Sequence, residues 1–120
     1  VEEISVALEI ASREVNGVAV VLLEGRIVLG EESTALRKKM KGLLASGAKK
    51  IVLNVDKVSF LDSTGIGTLV AAYHTAKSHG ASLALSNLGP SVEGMLRITK
   101  LLTVFDSYRT EADAIRSLAG

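Results

Sequence analysis

The sequence predicts an α/β domain built on a mixed, mostly parallel sheet, and three observations predict it. Short apolar runs, alternating or continuous, are interleaved with longer stretches whose apolar residues recur every three to four positions. Asn16-Gly17 lies between the first two runs; it is the strongest short hairpin signal, because both central residues of a type I′ turn need positive φ. After that hairpin every strand pattern is followed by a helix pattern, and such units in succession give parallel strands joined by right-handed crossovers. The predicted order is β-β-α-β-α-β-α-(β)-α, with the first strand as an antiparallel edge.

Each element has its own reason. Ile4, Val6, Leu8 and Ile10 alternate with Ser5, Ala7, Glu9 and Ala11, a period of two and therefore a strand. Val18 to Leu23 is apolar on both faces, which predicts a strand that is central or covered on both sides. Gly25 to Gly30 reads as a connection. Glu31, Glu32, Ser33 and Thr34 open a helix with acids at its positive end, and Leu36, Met40, Leu43 and Leu44 form its apolar stripe. Gly47 is its natural stop. Ile51 to Val55 is a third, buried strand. A helix from about Gly65 to His79 turns Ile66, Leu69, Val70 and Tyr73 inward, and Gly80 ends it. Ala81 to Ser86 is a fourth strand. Gly89-Pro90-Ser91 opens a short helix carrying Val92, Met95, Leu96 and Ile98. Val104-Phe105 is a short last strand. Thr110 with Asp113 forms a variant capping box for a final helix with Ala114, Ile115 and Leu118 inward.

The 120 residues suit one domain spanning 1–120, and 48% hydrophobic content suffices for a core without disulfides or metals. Cysteine is absent, which excludes disulfide scaffolds, thiolate metal sites and cysteine nucleophiles. A net charge of +1 with dispersed basic residues, and only 3% aromatics, argue against direct nucleic-acid binding. No apolar run approaches the length of a membrane span, and Val1-Glu2-Glu3-Ile4 lacks the pattern of a secretion signal. The expectation is a cytoplasmic protein without membrane insertion; its oligomeric state is not legible.

Most catalytic constellations fail in detail. Gly65-Ile66-Gly67 at a strand-to-helix junction resembles part of a dinucleotide fingerprint, but Val70 stands where a third glycine belongs, and no phosphate-binding lysine follows. The two glycines are read as structural: Gly65 for a tight turn, Gly67 for close helix–sheet packing. No cofactor is expected. His74 and His79 lie five apart on one helix and do not share a face, so no metal site is expected. Ser63 has neither a nucleophile elbow nor an evident histidine–acid pair, so the chain is read as a non-enzyme.

What remains is Asp62-Ser63-Thr64 at the mouth of the second long helix. All three are favoured N-cap types, and Leu61 before them can staple onto the first turn. A cap needs only one of the three. The functional reading is that one hydroxyl accepts a phosphate, adding roughly −1.5 to −2 charge where helix amides tolerate an anion. That would switch affinity for a docked partner without changing the fold.

Leu61-Asp62-Ser63-Thr64-Gly65-Ile66-Gly67 resembles the signature of STAS domains, specifically of bacterial anti-sigma factor antagonists, and the resemblance extends through Gly25-Arg26-Ile27, the Gly47-to-Val55 step and Ile98-Thr99-Lys100-Leu101. It implies a four- to five-stranded sheet with about four helices against one face. It implies binding to an anti-sigma factor that is a serine kinase, release on phosphorylation of Ser63, and resetting by a PP2C-type phosphatase. The partner-binding residues it implies are Asp62, Ser63, Thr64, Gly65, Ile66 and Gly67. One departure is Val28, where many antagonists carry an aspartate. The alternative is a constitutive scaffold or subunit of a signalling or lipid-transport complex, with Ser63 only a cap.

Overall fold

The structure is a computed structural model that describes residues 8–119. The elements are β1 (Leu8–Val15), β2 (Val18–Ile27), α1 (Glu31–Ala45), β3 (Lys50–Leu61), α2 (Ser63–Ser78), β4 (Ser82–Ser86), α3 (Pro90–Ile98), β5 (Asp106–Tyr108) and α4 (Glu111–Ala119). They follow the predicted order. The five strands form one sheet in the order β1-β2-β3-β4-β5, with β1 antiparallel to β2 and every other pair parallel. The β1–β2 hairpin turns through Asn16 and Gly17 at φ 53° and 80°, the left-handed pair that the dipeptide predicts. Ile4 and Val6 of the expected first strand lie outside the described residues.

The two faces of the sheet bury different things. Val21 and Leu23 of β2, Ile51, Leu53 and Val55 of β3, and Leu83 and Leu85 of β4 point to one side. There they meet Leu36, Met40 and Leu44 of α1, Ile66 and Leu69 of α2, and Val92 and Leu96 of α3. Val18, Val20 and Val52 point the other way and pack against Ala114 and Ile115 of α4. The expectation of all helices on one face is thus corrected. Two apolar faces on β2 need two covers, and α4 supplies the second.

Three boundaries and one inward position also differ. β2 runs through Ile27, so only Val28–Gly30 connect it to α1, not Gly25 to Gly30. β3 does not stop at Val55 but continues to Leu61 beside it, across two register shifts, between Leu22 and Glu24 and between Gly25 and Arg26. At the first, the Asn54 side chain accepts a bond from the Asp56 amide at 2.9 Å and pins the irregular backbone. The last strand is Asp106–Tyr108; Val104 and Phe105 sit in the preceding turn, where buried Phe105 packs edge-on against Tyr73 at 5.5 Å. Ile98 is 78% exposed, because Val92 and Leu96, one turn apart, already fill the inward face of α3.

Both long helices end the same way. Gly47 at φ 98° bonds to Leu44 while Ala48 bonds to Leu43; Gly80 repeats this pattern on Lys77, with Ala81 on Ala76. α4 opens as predicted, with the Thr110 hydroxyl accepting the Asp113 amide at 3.1 Å.

α4 is tied to the sheet by a polar cluster. The Glu111 carboxylate accepts bonds from Arg13 of β1 and, at 2.8 Å, from the Asn54 amide group of β3. Burial pushes this carboxyl up, but the bonds from Arg13 and Asn54 and the Arg13 charge outweigh it and hold it below its ordinary value. A depressed folded-state value means stabilisation that is present above the unfolded value and lost as pH falls through the folded one. Glu111→Gln is therefore expected to lower the melting temperature at neutral pH and to shrink its fall below about pH 4.5. Melting curves for both proteins between pH 3 and 7 check this, and parallel acid limbs would contradict it.

Candidate functional site

The site forms where β2, β3 and α2 meet. Leu61 ends β3 in register with Ile27, the end of β2, and the Asp62 amide still reaches the Ile27 carbonyl at 3.4 Å. The first turn of α2 then packs directly on β2. A Cβ built on Gly65 would lie 1.9 Å from the Ile27 carbonyl oxygen and 2.8 Å from its carbon. Around Gly67 the same construction meets nothing within 4 Å. The expected division of labour is reversed: Gly65 permits close helix–strand packing, and Gly67 is exposed surface. Gly65 is not among the positive-φ residues, so its space matters and not its backbone freedom.

Asp62 is the N-cap of α2, which resolves which of the three polar residues caps. Its Oδ1 accepts the Gly65 amide at 2.7 Å and its Oδ2 accepts the Leu29 amide at 2.9 Å. One carboxylate thus joins the helix mouth to the β2–α1 connection. That connection is held from its other side by Ser33, buried in α1, whose hydroxyl donates to the Val28 carbonyl at 2.8 Å. The amides of Leu29 first, and Gly65 second, hold the Asp62 carboxyl below its usual range. Leu61 and Ile66, the two positions of a hydrophobic staple around this cap, both join the core.

Ser63 is the first residue of α2 and is exposed; among the described residues nothing bonds its hydroxyl. Thr64 beside it is half-buried, and its carbonyl accepts the buried Thr68 hydroxyl at 2.8 Å. The structure therefore brings Asp62, Ser63 and Thr64 together at an open helix mouth. It places Gly65 and Ile66 beneath that mouth, buried, where they shape it without facing solvent. Leu29 was missed by sequence reasoning. It is 73% exposed and tied by its backbone to Asp62, so an apolar side chain stands at the rim of the site. Its signal was an apolar pair, Val28-Leu29, immediately before the glycine that opens α1.

Asp62→Asn keeps an acceptor for the Gly65 amide but gives up one of its two oxygens. If the remaining oxygen caps the helix, the Leu29 amide loses its partner. We expect hydrogen exchange at Leu29 to speed up about tenfold or more while the Gly65 amide stays protected. Unchanged exchange at Leu29 would mean that the bridge does not hold the connection.

Chemistry beyond this is sparse. Among the described residues no group of three histidine, cysteine or acidic side chains is placed to hold a metal, and no helix is long and apolar enough to cross a membrane.

Residues 9–114 match the STAS domain family. Over 111 residues the chain is 23% identical to the anti-sigma F factor antagonist of Paenibacillus polymyxa, covering 92% of this chain and 95% of that one. Its fold superposes on an anti-sigma factor antagonist from Mycobacterium paratuberculosis with a TM-score of 0.81 at 23% identity, over 94% of this chain and 95% of that one. It also superposes on the Bacillus cell fate determinant SpoIIAA in the phosphorylated form, with a TM-score of 0.69 at 21% identity over 92% and 98% of the two chains. The family match runs across nearly the whole chain and the shared folds agree with it: the chain belongs to the STAS domain family.

Proposed function

We propose that this protein is an anti-sigma factor antagonist, a partner-switching module with no catalytic activity of its own. Unphosphorylated, it binds an anti-sigma factor serine kinase in the cytoplasm and so frees a sigma factor for transcription. Phosphorylation of Ser63 releases it, and a PP2C-type phosphatase resets it. The observation that carries this reading is the placement of Ser63: exposed, with its hydroxyl unbonded among the described residues, at the first position of α2 beside a carboxylate locked by two backbone amides. The partner meets Asp62, Ser63, Thr64 and Gly67 on the surface, while Gly65 and Ile66 hold that surface in shape from below. The names of the relatives support the same reading.

A purified anti-sigma factor serine kinase with ATP should add one phosphate to the protein, mapped by peptide mass to Ser63 and absent from Ser63→Ala. Phosphate on a residue far from the helix mouth, or none with a kinase that demonstrably binds the protein, would sink the switch.

A further inference from the structure

We propose that the groove between α1 and α2 is a docking site for an acidic amphipathic helix of a protein partner, with one aliphatic side chain of that helix seated in it. Arg37, Met40 and Lys41 of α1 and Thr68, Ala71 and Thr75 of α2 line the groove. Met40 and Thr68 are buried and form its floor. It encloses about 70 Å³. Small-molecule sites run to roughly 300–1,000 Å³, so this one takes a single anchoring side chain and not a metabolite.

Charge selects the occupant. Arg37 and Lys41 stand exposed one turn apart on the α1 wall, with exposed Lys38 beside them. α2 carries no acid anywhere between Ser63 and Ser78, and the acids of α1, Glu31 and Glu32, are confined to its first turn. The charges lining the groove are thus all basic and stand on the α1 wall, facing an uncharged α2 wall, between helices of 15 and 16 residues, each a little over 20 Å long. An amphipathic helix laid in such a groove anchors through residues three and four apart, and glutamates flanking the anchor would face Arg37 and Lys41.

The α2 wall links the groove to the helix mouth. Thr64, Thr68, Ala71 and Thr75 fall at i, i+4, i+7 and i+11, one continuous row that begins beside Ser63. A phosphate there would meet the acids of a docked helix. This deepens the proposed partner binding and rests on it for the link to Ser63; docking itself stands on α1 and α2 alone.

The test uses isotope-labelled protein and four probes: a synthetic amphipathic helix of about 18 residues with glutamates around a leucine stripe, its lysine counterpart, single-stranded RNA, and phosphatidylglycerol vesicles. The acidic helix should shift the amides of Met40, Ala71 and Thr75 and bind less tightly as salt rises. Binding should fall about tenfold in Arg37→Glu with Lys41→Glu, and again in Ala71→Glu with Thr75→Glu, which places acid on the opposite wall. The two variants guard against misfolding of either one, each checked by its melting curve. Equal binding of the lysine helix, tighter binding of RNA or vesicles at the same amides, or no shift at all would overturn the proposal. None of these readouts depends on the kinase assay of Ser63, so a failed groove and a failed switch give different results.

Discussion

Gly65→Ala is expected to cost this protein about 3 kcal/mol or more and to lower its melting temperature by about 10 °C or more. The added methyl would lie 1.9 Å from the Ile27 carbonyl oxygen, far inside contact distance, and the obstacle is backbone on both sides. No rotamer change can relieve it. Either the first turn of α2 lifts off β2, or the end of β2 moves away from Leu61. Both routes disturb the Ile27–Leu61 register and the Asp62 cap. Against this stands the usual preference for alanine over glycine in a helix, about 1 kcal/mol at most. Overpacking against a rigid backbone exceeds that, and the net loss is a large share of a typical total stability of 5–15 kcal/mol. Gly67→Ala isolates the propensity term, since nothing stands near its would-be Cβ. That variant should be neutral or up to about 1 kcal/mol more stable. Urea unfolding of the pair checks the argument: two changes of the same sign would mean that packing on Ile27 is not what Gly65 is for.

The two glycines also mark where sequence reasoning reached its limit. Their spacing placed them on the first turn of α2, but not on which side of it. A helix turns about 100° per residue, so Gly65 and Gly67 face nearly opposite ways, and only the docking angle of α2 decides which meets β2. Elements whose signals are local were legible: the Asn16-Gly17 turn, the stripe of α1, the Thr110 cap. β3 outran its prediction because Asn54, Asp56 and Lys57 break the apolar run, while pairing with the longer β2 carries the strand across two irregularities. β5 was missed because Asp106-Ser107-Tyr108 is short, polar and paired only with β4, while the apolar Val104-Phe105 beside it serves a turn. The face taken by α4 was legible after all in residues: Val18 and Val20 leave β2 apolar on a side that the three other helices do not cover. At the site, a capped helix mouth at Asp62-Ser63-Thr64 was legible because capping is local chemistry, but not that Asp62 is the one that caps. The Leu29 bridge was not, since it joins positions 33 residues apart.

Ser63→Asp is expected to weaken binding of the proposed anti-sigma factor kinase about 100-fold, close to 2.7 kcal/mol, while the melting temperature moves by no more than about 3 °C. The two halves have separate causes. In the free protein the new carboxylate sits at the first turn of α2, where the helix dipole favours it. It also sits next to Asp62, whose carboxylate already occupies the Gly65 amide and opposes a second charge. At an exposed position both effects are small and of opposite sign, so stability barely changes. In the complex the same charge would be stripped of water against a surface shaped to meet a neutral hydroxyl, while Asp62 already holds the Gly65 and Leu29 amides and adds its own negative charge beside it. An unpaired charge buried at an interface costs several kcal/mol, and 100-fold is a modest share of that. Phosphoserine carries up to twice the charge and should weaken binding further. Ser63→Ala should bind normally, since the hydroxyl has no partner to lose among the described residues. If Ser63→Asp binds as tightly as the unmodified protein, the module is a constitutive scaffold. If it unfolds, Ser63 is structural, and the open hydroxyl at the helix mouth has been misread.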